Sequence, residues 1–116
     1  MTDTRTTDAP TPVRLDTAAA LDRFVAAHDR ALVEFYTAGC SACGAMEPVL
    51  GLVTEETGVP VAFVNPRGDP ALIEDYDITR VPTLVVFEDG TPTDRLDDGF
   101  VGADRVVELL GYTDLL

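Results

Sequence analysis

The chain contains two cysteines, Cys40 and Cys43, within the segment AGCSACGAMEPVL. Two thiols at this spacing can bind a metal ion, exchange disulfide bonds, or simply pack as small apolar side chains. A structural zinc site usually needs four cysteine or histidine ligands, and the sequence adds one histidine, His28, to the two cysteines. His28 falls on the apolar stripe of a predicted helix, which favours a half-buried packing role. A metal site would therefore need a second subunit or carboxylate ligands.

The position of the cysteines in the predicted secondary structure favours redox chemistry. The apolar run ALVEFYT (31–37) predicts a strand buried on both faces, and a helix kinked at Pro48 is predicted from Cys40 to about Thr57. In a regular helix, Cβ atoms three residues apart are about 5–6 Å apart, whereas a disulfide requires about 3.5–4.5 Å. A bond between the two thiols therefore requires Cys40 to lie at the helix entrance, where the backbone is not yet helical.

The predicted helix start also separates the roles of the two thiols. Free backbone amides and the positive end of the helix dipole stabilise a thiolate at Cys40 and lower the pKa of its thiol. Cys43 lies one turn later, where we expect a more buried and less acidic side chain. Cys40 is therefore predicted to attack and Cys43 to resolve, a placement that two merely packing cysteines would leave as coincidence.

The other segments predict an α/β domain at residues 13–116 that follows a mobile tail at residues 1–12. A short edge strand is predicted at 12–15, and a helix capped by Asp16 follows it. A second buried strand is predicted at 59–65, followed by a short helix from Asp69-Pro70 to Tyr76. The chain then continues with a predicted hairpin at 81–98 and a final helix from Gly102 to Leu110. This order of elements is typical of a mixed sheet with helices on both faces.

The charge excludes some classes of partner. The chain has 21 acidic and 8 basic residues, a formal net charge of −13, and its basic residues are all arginine. A field of that sign repels nucleic acid and anionic lipid, so neither is expected to bind. No apolar run approaches the ~20 residues of a membrane span, and no secretory signal is visible, so we expect a cytoplasmic protein. The composition indicates a salt-adapted organism; the alternative is a GC-rich genome combined with an acidic surface.

Two segments, LVEFYTAGCSACGAMEPVL and RVPTLVVFEDG, resemble the thioredoxin family, and the similarity covers about residues 13–116. C-x-x-C alone is weak evidence, but its place between a buried strand and a proline-containing helix, with a V-P-T strand downstream, is specific. The resemblance implies the thioredoxin fold, with a central mixed sheet of four to five strands flanked by helices on both faces. It also implies a redox-active Cys40–Cys43 disulfide, a cis Pro82, and a substrate surface that includes Tyr36, Gly39, Val81, Pro82 and Gly99. Proline is the residue for which a cis bond costs little; the alternative is a trans proline that merely starts a strand.

Glu34 interrupts the apolar strand six residues before Cys40, where thioredoxins typically carry a buried aspartate. Burial raises the pKa of a carboxyl group, which would suit a proton shuttle to Cys43. The alternative is a glutamate on an exposed strand face. The family often pairs this acid with a lysine on the next strand, but Phe63 stands at the matching position, so we expect Glu34 to be more easily protonated.

The predicted function is reduction of protein disulfides by dithiol–disulfide exchange, with electrons from a thioredoxin-reductase-type donor. The sequence has no flavin or nucleotide motif of its own, and we expect neither cofactor nor metal, and a monomer. Two departures from the family support an alternative, a redox-sensing or binding module with little turnover. Gly39 replaces the usual tryptophan, and Ser41-Ala42 replaces Gly-Pro between the cysteines. A third possibility is metal trafficking through the two thiols.

Overall fold

The computed structural model describes residues 10–112, so most of the predicted tail, at residues 1–9, lies outside the described residues. The elements in chain order are β1 (Val13–Leu15), α1 (Ala18–Ala26), β2 (Arg30–Phe35), α2 (Ser41–Thr57), β3 (Val61–Val64), a 3₁₀ turn (Pro66–Gly68), α3 (Pro70–Tyr76), β4 (Thr83–Glu88), β5 (Thr91–Leu96) and α4 (Ala103–Leu109). Each predicted strand and helix is present, with bounds that differ by a few residues.

The five strands form one mixed sheet in the order β1-β3-β2-β4-β5. β1, β3 and β2 run parallel, whereas β4 pairs antiparallel with both β2 and β5. β2 therefore lies at the centre with a strand on each side, which explains why its sequence is almost continuously apolar. The prediction of a mixed sheet of four to five strands is confirmed.

Helices cover both faces of the sheet and divide the core into two layers. Alternation along β2 directs Leu32 and Glu34 to one face, and Val33 and Phe35 to the other. The first layer includes Met46, Leu50 and Val53 of α2 and Val106 and Val107 of α4. The second layer includes Leu21 and Val25 of α1 and Leu72 of α3. The sheet face that carries Glu34 is therefore the face that α2, the helix of the two cysteines, covers.

The helix starts show how capping side chains set the element boundaries. α1 is capped by Thr17 rather than by Asp16, because the Thr17 hydroxyl accepts a hydrogen bond from the N–H of Ala20 at 3.1 Å. Both residue types are good caps, so the prediction was wrong by one position. Asp69 caps α3 as predicted, and its second carboxylate oxygen accepts a bond from the N–H of Ala18 at 2.9 Å. That bond ties the start of α3 to the start of α1.

Candidate active site

Cys40 lies at the junction between the loop after β2 and the first turn of α2. Its backbone is extended (φ −87°, ψ 106°), and it caps the helix that begins at Ser41. Its Sγ accepts a hydrogen bond from the backbone N–H of Cys43, with an N–S distance of 3.2 Å. This donor and the positive end of the helix dipole both stabilise negative charge on the sulfur. The prediction that Cys40 stands at the helix entrance is confirmed.

Cys43 lies one turn into α2 and faces the interior. Its side chain is 3% exposed, whereas Cys40 is only partly buried. The Cα atoms of the two residues are 5.2 Å apart and their sulfur atoms form a disulfide bond. This separation of the Cα atoms is within the usual range for disulfides. The disulfide therefore joins one partly exposed cysteine to one buried cysteine.

Glu34 is fully buried in the centre of the sheet, on the face that α2 covers. Neither of its carboxylate oxygens has a hydrogen-bond partner within residues 10–112. The pKa of Glu34 is raised from its ordinary 4.5 to about 8, mainly by burial and to a smaller extent by repulsion from Glu47, while attraction to Arg14 opposes the shift. Phe63 is its in-register neighbour on β3, as the sequence comparison with the family indicated. The carboxyl group is thus easily protonated near neutral pH.

Arg14 supplies a cation near this carboxyl from an unexpected element, the edge strand β1. Its guanidinium carbon lies 5.0 Å from the ring centroid of Phe63 and 5.3 Å from that of Tyr36. Its Nη2 forms an ion pair with Oε2 of Glu47 on α2 at 2.7 Å. Tyr36, which was predicted to contact substrate, is half-buried and packs against the first core layer with Arg14 over its ring.

The Val81–Pro82 peptide bond is cis, and it immediately precedes β4. Pro82 is buried, whereas Val81 remains partly exposed. A cavity of about 230 Å³ opens beside Val81 and is also lined by Thr37, in the loop that leads to Cys40. Its other lining residues include Ile73, Ile78, Arg67 and Arg80. The loop before Cys40 and the segment before β4 therefore share one surface recess.

Gly99 lies in the loop between β5 and α4, with φ +79°, a backbone conformation that favours glycine. The next residue, Phe100, is 53% exposed, and the following N–H, of Val101, points at Sδ of Met46 with a distance of 3.5 Å. Met46 lies three residues after Cys43 on the same side of α2. The loop of Gly99 and Phe100 is thereby anchored to the helix that carries the cysteines.

The described helices are all too short or too polar to cross a membrane. No group of three or more histidine, cysteine, aspartate or glutamate side chains within residues 10–112 is arranged to hold a metal ion.

Comparison with known proteins identifies the family. The family model described as thioredoxin matches residues 12–110. Thioredoxin from Chlamydia caviae is 34% identical over 80 residues, which cover 68% of this chain and 78% of that protein. Thioredoxin from Mycolicibacterium smegmatis is 32% identical over 83 residues, which cover 68% of this chain and 70% of that protein. The chain belongs to the thioredoxin family.

A solved structure agrees with this assignment. A mutant form of the thioredoxin from Halobacterium salinarum superposes with a TM-score of 0.80 at 30% identity, covering 90% of this chain and 93% of that one. The thioredoxin fold predicted from the sequence is confirmed. Family membership together with the Cys40–Cys43 disulfide identifies the chain as a thiol–disulfide oxidoreductase, a thioredoxin-like disulfide reductase.

Gly39 explains one departure from the usual thioredoxin sequence. Its φ is +82°, in the left-handed region that side chains other than glycine enter at a cost of about 1–2 kcal/mol. Nothing lies within 4 Å of where a Cβ would stand, so strain of the backbone, and not a clash, disfavours a larger residue. The local chain path before Cys40 thus favours glycine over the family's tryptophan, and the residue directly before Cys40 has no aromatic side chain.

Sequence reasoning did not single out Arg14, Glu47 or Phe100. Arg14 and Glu47 read as ordinary charged residues, and their meeting depends on how β1 and α2 pack on β3. Phe100 had a signal that could have been used, because it is a large apolar residue between two glycines of a loop. Such a residue has no strand or helix to bury it and so remains at the surface.

Proposed function

We propose that Cys40 is the attacking thiol and Cys43 the resolving thiol in the reduction of protein disulfides. The observation that carries this assignment is the hydrogen bond from Cys43 N–H to Cys40 Sγ at the start of α2. In the reduced protein the same donor would favour the thiolate of Cys40, the form that attacks disulfides. The exposure of Cys40 and the burial of Cys43 support the same division of roles.

In the first step, the Cys40 thiolate attacks one sulfur of a target disulfide. The target's sulfur–sulfur bond breaks, its second sulfur leaves as a thiolate that takes a proton from water, and a mixed disulfide forms. The target segment would lie along Val81 and Pro82 in extended form, with a side chain in the recess beside Val81. Gly99 and the exposed ring of Phe100 would form the opposite border and supply the apolar area that is absent at Gly39.

In the second step, Cys43 loses its proton to the Glu34 carboxylate and attacks Sγ of Cys40. The mixed disulfide breaks, the target leaves as a dithiol, and the Cys40–Cys43 disulfide stores the oxidation, so two electrons have moved to the target. A carboxyl pKa of about 8 is much closer to the ~8.5 of an ordinary thiol than the usual carboxyl pKa is, which lowers the cost of moving a proton from Cys43 to Glu34.

Regeneration of the dithiol requires an electron donor, and we infer that a thioredoxin-reductase-type protein supplies the electrons. We also propose that this chain is a monomer and that it works in the cytoplasm. This inference rests on the thioredoxin relatives and on the lack of any flavin or nucleotide motif in the sequence. The acidic, lysine-free composition supports the further proposal that the protein works at high salt, where its charges are screened.

Replacing Cys43 by serine is expected to trap target proteins as mixed disulfides on Cys40, because the resolving attack is removed while the first attack remains. The trapped species would be measured by affinity purification from a cell extract, followed by mass spectrometry before and after treatment with dithiothreitol. The control is the double variant Cys40→Ser/Cys43→Ser, which should trap nothing. If Cys43→Ser also trapped nothing, a redox sensor with little turnover would replace the proposed reductase.

A further inference from the structure

The register of the sheet places Arg14, Phe63 and Glu34 in one row across three strands. Arg14 pairs with Phe63 between β1 and β3, and Phe63 pairs with Glu34 between β3 and β2. Paired residues on neighbouring strands point to the same face of a sheet. Two strand spacings separate the Cα atoms of Arg14 and Glu34 by about 10 Å. The arginine and the buried carboxyl therefore share the face that α2 covers, with an aromatic ring between them.

Three partners hold the Arg14 guanidinium in place over this row. The ring of Phe63 lies beneath it, the ring of Tyr36 lies beside it, and Glu47 binds it from α2 at 2.7 Å. The Arg14 and Glu47 side chains are 51% and 43% exposed, so this ion pair adds little to stability. Its consequence is electrostatic, because it fixes one positive and one negative charge at the solvent side of the space that contains Glu34.

We propose that Arg14 and Glu47 are positioning residues for the proton-transfer step, and that their opposed charges set the pH range over which Glu34 exchanges a proton with Cys43. This inference rests on the role proposed above for Glu34. The family often carries a cation on the strand next to the buried acid, but here Phe63 occupies that position on β3. Arg14 lies one strand further from Glu34, on β1, and provides the positive charge from there.

Within residues 10–112, the side chains that neighbour Glu34 on the other elements are apolar. β3 presents Phe63, β4 presents Leu84, and the neighbouring residues of α2 and α4 in this layer are apolar. In the part of the chain that the structure describes, the charges that shift the pKa of Glu34 are those of Glu47 and Arg14. Glu47 raises the pKa of Glu34 and Arg14 lowers it by less, so the two charges oppose each other at the carboxyl and cancel only in part.

This opposition gives a test in which the two variants move in opposite directions. The midpoint of Glu34 protonation would be followed by the ¹³C carboxyl signal of the oxidised protein as a function of pH. Arg14→Gln is expected to raise the midpoint and Glu47→Gln to lower it, each by about half to one pH unit, and the midpoint of the double variant should lie between those of the two single variants. Arg14→Lys, which keeps the charge, should recover part of the shift. General loosening of the structure would instead move both single variants the same way.

The matched control is Arg105→Gln, which removes another arginine from an exposed ion pair, with Asp98 at 3.1 Å, and should leave the midpoint unchanged. The pH profile of the resolving step, measured by single-turnover release of a target from Cys40, should shift in parallel with the carboxyl midpoint. If neither variant moves the midpoint, or both move it together, the role of Arg14 and Glu47 is refuted. If the midpoint moves but the rate profile does not, and Glu34→Gln also leaves that profile unchanged, the role of Glu34 as proton acceptor for Cys43 is refuted.

Discussion

Cys40→Ser is expected to reduce the turnover of protein disulfides by at least about a thousandfold, because the hydroxyl that replaces the thiol cannot attack a disulfide sulfur. Cys43 does not substitute for it, since its side chain is buried at 3% exposure. The measurement is the steady-state reduction of a model protein disulfide with dithiothreitol as electron donor. The thermal unfolding transition of Cys40→Ser should match that of the reduced parent protein, because neither contains the disulfide. Such a match would show that the loss of activity does not come from misfolding.

The matched control is Ser41→Ala, which changes the exposed neighbour of Cys40 at the first helical position and should retain most of the activity. A Cys40→Ser protein that keeps a tenth or more of the parent's turnover would remove Cys40 from the role of nucleophile.

Glu34→Leu is expected to stabilise the oxidised protein at high pH by several kcal/mol. The folded protein holds the Glu34 proton up to a pKa of about 8, whereas the unfolded chain releases it near 4.5. A raised carboxyl pKa means that the parent is destabilised progressively as pH rises from the unfolded value to the folded one. Above pH 8 this loss in the free energy of unfolding is complete, and its upper bound is about 5 kcal/mol. Leucine removes the buried charge at similar volume.

The measurement is the free energy of unfolding in urea, with the disulfide kept intact, at several pH values between about 5 and 9. The difference between variant and parent isolates Glu34, because the other carboxyl groups titrate in both proteins. Glu56→Gln, at an exposed position late in α2, is the control and should stay within about 0.5 kcal/mol of the parent throughout. A constant difference between Glu34→Leu and parent across this range would contradict the raised pKa.

The parts of the site that depend on local sequence could be predicted. Cys40 was predicted at the start of α2 because an apolar run and a small loop precede it and a helical pattern follows it. The start of α3 was predicted from the pair Asp69-Pro70. Glu34 was identified because a carboxyl inside an apolar strand is unusual, and the structure buries it as expected. These signals lie within a few residues of the feature they predict, so backbone geometry and capping chemistry suffice to read them.

The parts that depend on distant pairing could not be predicted. The meeting of Arg14 with Phe63 requires the register of β1 on β3, and strands far apart in sequence can pair in several registers with the same apolar pattern. The sequence indicated correctly that Phe63 offers Glu34 no cation, but gave no sign that β1 brings one. Capping by Thr17 rather than Asp16 was a smaller error with a local cause, since two adjacent residues are both of a type that caps helices well.

The central claim is that the sulfur of Cys40 is acidic because it accepts the Cys43 amide at the start of α2. The most direct test is the rate of alkylation of each thiol in the reduced protein as a function of pH, with the modified residue identified by mass spectrometry. The account predicts a midpoint for Cys40 at least about one pH unit below the 8.5 of a free thiol, and a higher midpoint for Cys43. Two midpoints near 8.5 would contradict it.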